Sequence, residues 1–209
     1  DQAIAVREIA RAVAQHFGSR ACFTPISRPD AVGNGVHMHF SLMDAKDGTP
    51  VNYDADNRDG LSSTAASFLA GVLSLMPAFT ALTAAGTVSY LRLTPNRWSA
   101  AYNNLGARDR EAGLRICPIF PGAGAAVEKQ FHFEYRAADA TASPYLVLGA
   151  LVAAGLHGLD NEPPAPAVCP GPPQDLPDEE LARLKVRKLP GSLNEALDLL
   201  EGSEVMRAS

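Results

Sequence analysis

Cysteine is scarce: Cys22, Cys117 and Cys169 are the only three in 209 residues. An odd number without metal-type spacing excludes a disulfide framework and a cysteine-cluster zinc module. It reads instead as free thiols in a reducing, cytoplasmic compartment. Basic runs are missing too, and the formal net charge is −5, which excludes a surface built to track a nucleic-acid backbone. Charge of either sign is absent from Leu61 to Leu91. That run is long enough to span a membrane, but Ser62, Ser63, Ser67, Thr80, Thr83 and a central Pro77 favour a buried helix, so no membrane partner is expected. No signal-type segment opens the chain, and Asp1 in place of an initiator Met suggests residues upstream. Pro121-Gly122-Ala123-Gly124 reads as a turn and lacks the Gly-Lys-Ser/Thr of a phosphate loop. No Ser-His-Asp elbow or Cys-His arrangement is present.

What is present begins with Gly33-Asn34-Gly35-Val36-His37-Met38-His39-Phe40-Ser41-Leu42. As a strand, it turns Val36, Met38, Phe40 and Leu42 to one face and His37, His39 and Ser41 to the other. Gly33 and Gly35 can take positive φ and admit a ligand close to the backbone. Phe131 to Arg136 repeats the design, with Phe131, Phe133 and Tyr135 behind and His132, Glu134 and Arg136 in front. A half-solvated antiparallel sheet shows the same alternation. Two such strands carrying imidazole and carboxylate donors nevertheless suggest one sheet whose polar face lines a site.

Around these strands, Gln2 to Phe17 has the spacing of an amphipathic helix ending at Gly18. Ala21 to Ile26 reads as a short strand, and Val51-Asn52-Tyr53 as the return strand of a hairpin. Leu61 to Ala85 is helical, with a kink or break expected at Pro77. Val88 to Phe120 looks extended. A helix is expected from Pro144 to His157, with proline in its first turn. Asn161 to Pro177 is a proline-rich loop, a short helix is plausible after Asp178, and Ser192 with Glu195 forms a capping box for Leu193 to Leu200. These elements predict an α+β fold, a curved and largely antiparallel sheet backed by helices.

Five arginines lie between residues 92 and 115: Arg92, Arg97, Arg108, Arg110 and Arg115. Guanidinium forks match carboxylate and phosphate oxygens, and beside a metal-binding strand they read as a polyphosphate clamp. Surface pairing with Asp109 and Glu111 is the plainer alternative. His37, His39 and Glu134 do not complete a metal site, since Mg²⁺ or Mn²⁺ takes about six donors. Asp44, Asp54 and Asp56 are weaker loop candidates. A stand-alone metal hydrolase is disfavoured by the same shortage of ligands.

Five motifs occur in order: the Gly33–Leu42 stretch, Ser-Tyr-Leu-Arg-Leu-Thr-Pro (Ser89–Pro95), Asp-Arg-Glu-Ala-Gly-Leu-Arg-Ile (Asp109–Ile116), Glu-Tyr-Arg (Glu134–Arg136) and Ala-Ser-Pro-Tyr-Leu (Ala142–Leu146). On these the chain resembles the C-terminal catalytic domain of the glutamine synthetase family over nearly its whole length. The resemblance implies ATP-dependent amide formation, in which a carboxylate is phosphorylated and a nitrogen nucleophile displaces phosphate. It implies ATP and Mg²⁺ or Mn²⁺ as cofactors, His37 and Glu134 as metal ligands, and His39 and Ser41 on the nucleotide side. It places Arg110 and Arg115 at the transferring phosphoryl group, with Arg115 also on the nucleotide, and Arg92 and Arg136 at the substrate's carboxylates beside Gly33.

The chain also departs from that pattern. Val32 stands where the family usually has Asn, Trp98 occupies the ammonia-handling glutamate position, and His132 replaces a usual Arg. Relatives with Trp there resemble γ-glutamyl-amine ligases, which makes Trp98 a substrate-binding candidate and an organic amine the expected donor. A glutamine synthetase using ammonia and an inactive scaffold are the alternatives. The family's N-terminal domain and further glutamate ligands are not in this stretch. The expected organisation is therefore a fragment: a catalytic core over 1–160, the loop 161–177 and a helical part over 178–209, with the full-length protein a homo-oligomer acting on small molecules.

Overall fold

The computed structural model describes residues 2–208 apart from 121, 123 and 125. The turn expected at 121–124 therefore falls partly on residues outside the described set. Four three-residue strands form one open sheet: β1 (Met38–Phe40), β2 (Leu105–Ala107), β3 (Leu114–Ile116) and β4 (Phe133–Tyr135), in the order β1-β4-β3-β2. β4 pairs antiparallel with both β1 and β3, whereas β2 and β3 are parallel. The sheet is thus mixed and open, backed by helices. The parallel pair is joined by residues 108–113, which double back with Arg108 at φ 61°. Strands this short leave only about 10 Å to retrace.

The long charge-free run is α2 (Ser63–Thr83), capped by Ser62, whose side chain accepts from Ala65 N. It is long and apolar enough to cross a membrane, but most of it is buried in the protein. It is a core helix. α5 (Pro144–Asn161) and α7 (Leu193–Glu201) pack on it. α2 and α5 approach through glycine: a Cβ on Gly71 would lie 2.2 Å from Ala154 O, and one on Gly158 2.1 Å from Ser67 O. The sheet's inner face supplies Phe133 and Tyr135, both fully buried. Phe133 stacks beside Phe40 and Phe131, and Tyr135 beside Phe79. The Tyr135 hydroxyl, buried among these rings, bonds Thr83 Oγ1 at 2.7 Å.

Pro77 neither breaks nor splits α2. A proline inside a helix strips the carbonyl four residues earlier of its donor. That carbonyl is Leu73 O, and Asn103 Nδ2 supplies the missing bond at 2.9 Å. Asn103 also accepts from Arg187 N at 2.6 Å and gives its own N–H to Arg187 O.

Other expectations require correction. Residues 21–26 form no regular strand, and 51–53 contribute only isolated bridges, Met43 to Pro50 and Tyr53 to Leu61. Neither stretch has a continuous partner edge to complete a ladder. The extended reading of 88–120 missed α3 (Ser89–Arg92). Of the Gly33–Leu42 stretch only Met38–Phe40 is regular strand; upstream it touches the chain through the Gly35–Asp139 bridge. α1 (Gln2–His16) forms as expected but buries none of its residues, leaving Ile4, Ile9 and Val13 exposed. The remaining helices are α4 (Val127–Gln130), α6 (Asp178–Leu184) and α8 (Glu204–Ala208). At α7 the Ser192 hydroxyl accepts from Glu195 N at 3.2 Å, and the Glu195 carboxylate accepts from Gly191 N rather than from Ser192 N.

Candidate functional site

The pleat that buries Phe133 and Tyr135 turns Glu134 to the opposite face, in the middle strand of three. Its register neighbours are His39 on β1 and Arg115 on β3. Around the carboxylate, Arg136 Nη1 lies 2.6 Å and His37 Nδ1 2.8 Å from Oε1, and Arg115 Nη2 lies 2.5 Å from Oε2. The Arg115 contact is off the hydrogen-bond direction, so Oε2 is a buried acceptor without a hydrogen bond. Burial alone would raise this carboxyl, but the His37 hydrogen bond and the Arg136 and Arg115 charges outweigh it and hold it at about 2. Glu134 is an anion at every physiological pH.

Glu134 and His37 open onto a cavity of 340 Å³. Five arginines reach it: Arg92, Arg97, Arg110, Arg115 and Arg136. A chain of net charge −5 has therefore gathered positive charge at one place, set against a single carboxylate there. Arg92 is almost fully buried, donating to Ser99 Oγ at 3.1 Å and to the carbonyls of Ala137 and Ala138. Its stem explains Gly33, and its guanidinium together with the His37 ring explains Gly35. A Cβ on Gly33 would stand 2.3 Å from Arg92 Cγ, and one on Gly35 2.9 Å from Arg92 Nη1. Neither glycine has positive φ. They give room to the Arg92 side chain and, at Gly35, to the His37 ring, which corrects the expectation of special backbone angles.

Beside these arginines the cavity is also lined by Val32, Gly33 and Trp98. Trp98 is 63% exposed and sits at φ 54°, two residues after Asn96 at φ 63°. Glu111 holds this strained turn, accepting from the N–H of Asn96 at 2.8 Å and of Trp98 at 3.1 Å. Arg136 Nη2 ties the Trp98 carbonyl back to the Glu134 cluster at 3.2 Å. From the sequence Glu111 reads only as a surface partner for arginine. Carboxylate-to-backbone pinning leaves no pattern in composition or periodicity.

Of the residues singled out from sequence, Gly33, His37, Arg92, Trp98, Arg110, Arg115, Glu134 and Arg136 thus meet at one cavity. His39 and Ser41 lie outside its lining; His39 Nε2 is 3.5 Å from Glu134 Oε1, and Ser41 is exposed. The donor set suits a hard divalent cation in part. The 2.8 Å between His37 Nδ1 and Glu134 Oε1 is near the roughly 3.0 Å edge of an octahedron with metal–ligand bonds of about 2.1 Å. Two such ligands need others to complete the sphere. The arginine wall suits phosphate oxygens.

Comparison with known proteins follows the same lines. The family profile described as "Glutamine synthetase, catalytic domain" matches residues 1–209. The chain is 37% identical to the "Gamma-glutamylpolyamine synthetase GlnA3" of Streptomyces coelicolor, over 99% of this chain and 43% of that protein. It is 36% identical to the "Glutamine synthetase" of Thermococcus kodakarensis, over 99% of this chain and 44% of that one. A crystal structure titled "novel glutamine synthase homolog" superposes with a TM-score of 0.82 at 42% identity, covering 99% of this chain and 44% of its own. The chain spans less than half the length of the relatives it matches.

Proposed function

The chain belongs to the glutamine synthetase family, in its catalytic domain, and from that premise we propose that it is the catalytic-domain part of an ATP-dependent carboxylate–amine ligase. A substrate carboxylate oxygen attacks the terminal phosphorus of ATP, and ADP leaves. The amine then attacks the acyl carbon, phosphate departs with that oxygen, and the amine gives up a proton. The observation that carries this reading is the gathering of Glu134, His37 and five arginines around one cavity, two of those arginines paired directly with Glu134. Phosphoryl transfer needs positioning and charge neutralisation more than covalent help from the protein.

In this reading His37 and Glu134 would hold Mg²⁺ or Mn²⁺, which supplies charge neutralisation across the phosphates. Arg110, exposed at the rim, and Arg115, half-buried on β3, hold the transferring phosphoryl group, and His39 and Ser41 border the nucleotide. Arg92 and Arg136 are each fixed by several partners and present rigid positive charge to the acid's carboxylates. We also propose that the protein works as a cytoplasmic homo-oligomer, which would cover the exposed apolar side chains of α1. Residues 1–160 form the core, and 178–209 the helical part, of this unit.

The donor we propose is an organic amine. Val32 and Trp98 give the cavity an apolar and π-rich side, where a packed cationic or alkyl amine gains about 0.5–2 kcal/mol. Indole offers no acceptor for an ammonium proton, and the nearby Glu111 carboxylate is engaged by two backbone N–H groups. The test is ADP formation by the full-length protein with glutamate and related acids, with ammonia, alkylamines and polyamines competing, repeated on Trp98→Glu. Amine-dependent turnover that shifts toward ammonia in the variant is expected. Best use of ammonia by the wild type, with donor preference unchanged in the variant, would leave Trp98 a packing residue. Absence of any acid-dependent ADP formation would remove the ligase reading itself.

A further inference from the structure

The polar face of the sheet continues past Glu134 to Cys117 and His132, which the ligase reading does not use, beside His39, which it places at the border of the nucleotide. Cys117 N donates to His132 O at 3.1 Å, extending the β3–β4 ladder by one step. The pleat then brings the Cys117 and His132 side chains out on the face that carries His39. His39 Nδ1 stands 3.1 Å from His132 Nε2 and 3.7 Å from Cys117 Sγ. The cluster's three ligand atoms all lie within 4.8 Å of one another. Tetrahedral zinc, with bonds of about 2.05 Å to nitrogen and 2.3 Å to sulfur, would set those edges at about 3.3 Å for N···N and 3.6 Å for N···S. Both observed edges come within a few tenths of an ångström.

The outer partners fit as well. His132 Nδ1 lies 2.6 Å from Gln130 O, a carbonyl that can only accept, so Nδ1 carries the proton and Nε2 presents its lone pair. The other nitrogen of His39, Nε2, faces Glu134 Oε1 at 3.5 Å, which favours its proton on that side and its lone pair on Nδ1. Backbone carbonyl and carboxylate are the usual outer shell of metal-bound imidazoles. Two lone pairs aimed at each other beside a thiol repel unless a proton or a cation lies between them. The half-exposed His39 leaves a way in from solvent.

We propose that His39, Cys117 and His132 form a binding site for a zinc-class cation, with a fourth position open to water or another small ligand. Two imidazoles and a thiolate select such metals over Mg²⁺ or Mn²⁺. The ligands come from β1 and from the residues flanking β3 and β4, so the site is separate from the His37–Glu134 pair, although Glu134 borders both. Binding releases the Cys117 thiol proton to solvent. The inference goes beyond the ligase reading and does not depend on it.

The experiment is a Co²⁺ titration of the full-length protein with saturating Mg²⁺ present. About one equivalent of Co²⁺ should develop a thiolate-to-cobalt charge-transfer band in the near ultraviolet, and Zn²⁺ should displace it. The band should vanish in Cys117→Ser, and His132→Arg should weaken Co²⁺ binding at least about tenfold. A second measurement needs no variant: Zn²⁺ should slow alkylation of Cys117 in the wild type, with exposed Cys22 as the internal control. No band in the wild type, a band that survives Cys117→Ser, or an unchanged Cys117 alkylation rate would overturn the proposal.

Discussion

The two faces of one strand, β4, are a contrast in materials. Phe133 and Tyr135 enter a core of α2 and aromatic rings, where no charged residue is found along the helix. Glu134, between them in sequence, enters a nest of His37, Arg115 and Arg136. All three residues are buried to nearly the same degree. Burial alone therefore does not distinguish core from site. What differs is whether a buried group is there because water rejects it or because a charged partner holds it. The first stabilises the fold; the second is expensive to assemble and is kept for what it binds.

The sharpest way to break this contrast is to empty each face in turn. Phe133→Ala removes a fully buried ring from the aromatic row and should cost about 3–5 kcal/mol of stability, read by chemical denaturation. If that loss stays below about 1 kcal/mol, the inner face is not the stabilising one. Glu134→Gln should instead cut ATP-dependent amide formation by the full-length protein on the order of 10²–10³-fold, with a smaller stability loss of about 1–3 kcal/mol.

The stability loss of that variant should depend on pH. The Glu134 carboxyl is held at about 2 against an ordinary 4.5. Its ion pairs therefore stabilise the fold fully above the ordinary value and cease to do so as the pH falls toward 2. The gap in Tm between wild type and Glu134→Gln should close on acidification; a constant gap would show that the charge contributes nothing. The smallest effect is expected at Trp98, exposed at the cavity mouth. Trp98→Ala should change stability by less than about 0.5 kcal/mol while raising KM for the amine. A stability loss as large as that of Phe133→Ala would make Trp98 a core residue after all.

How far the sequence reaches can be judged on the same strands. The alternation in His37 to Phe40 and in Phe131 to Arg136 was enough to pair the two segments and to bring His37 and Glu134 together, because a pleat fixes which side chains share a face. It overstated strand length, since residues 33–37 have the composition of a strand but find only one bridge partner. β2 and β3 lie inside the stretch that reads as extended but do not stand out as separate strands, because each is three residues long, too short to show a period, and Gly106 sits inside β2. Cys117 looked like an isolated thiol for a related reason. Its partners, His39 and His132, arrive from other segments, and no spacing along one chain reveals a meeting across three. The helices were easier: α2 and α7 carry capping serines, α5 a proline in its first turn, and all three their apolar residues in contiguous sequence.

The proline in α2 has a consequence for how the far end of the chain is attached. Pro77 frees one carbonyl, and the Asn103 amide that answers it also binds the backbone at Arg187, beyond the proline-rich stretch. The C-terminal helices are thereby indexed to the core in part by one side chain bridging two backbones, beside the Leu189 N–H to Ala101 O bond and the packing of α7 on α2. Insertions or deletions between residues 163 and 166 should be absorbed without shifting that alignment, whereas Val168 and Cys169 are themselves paired to Leu105. A change at Asn103 would leave Leu73 O without its donor and loosen the attachment at Arg187, even though the tail's own sequence were untouched.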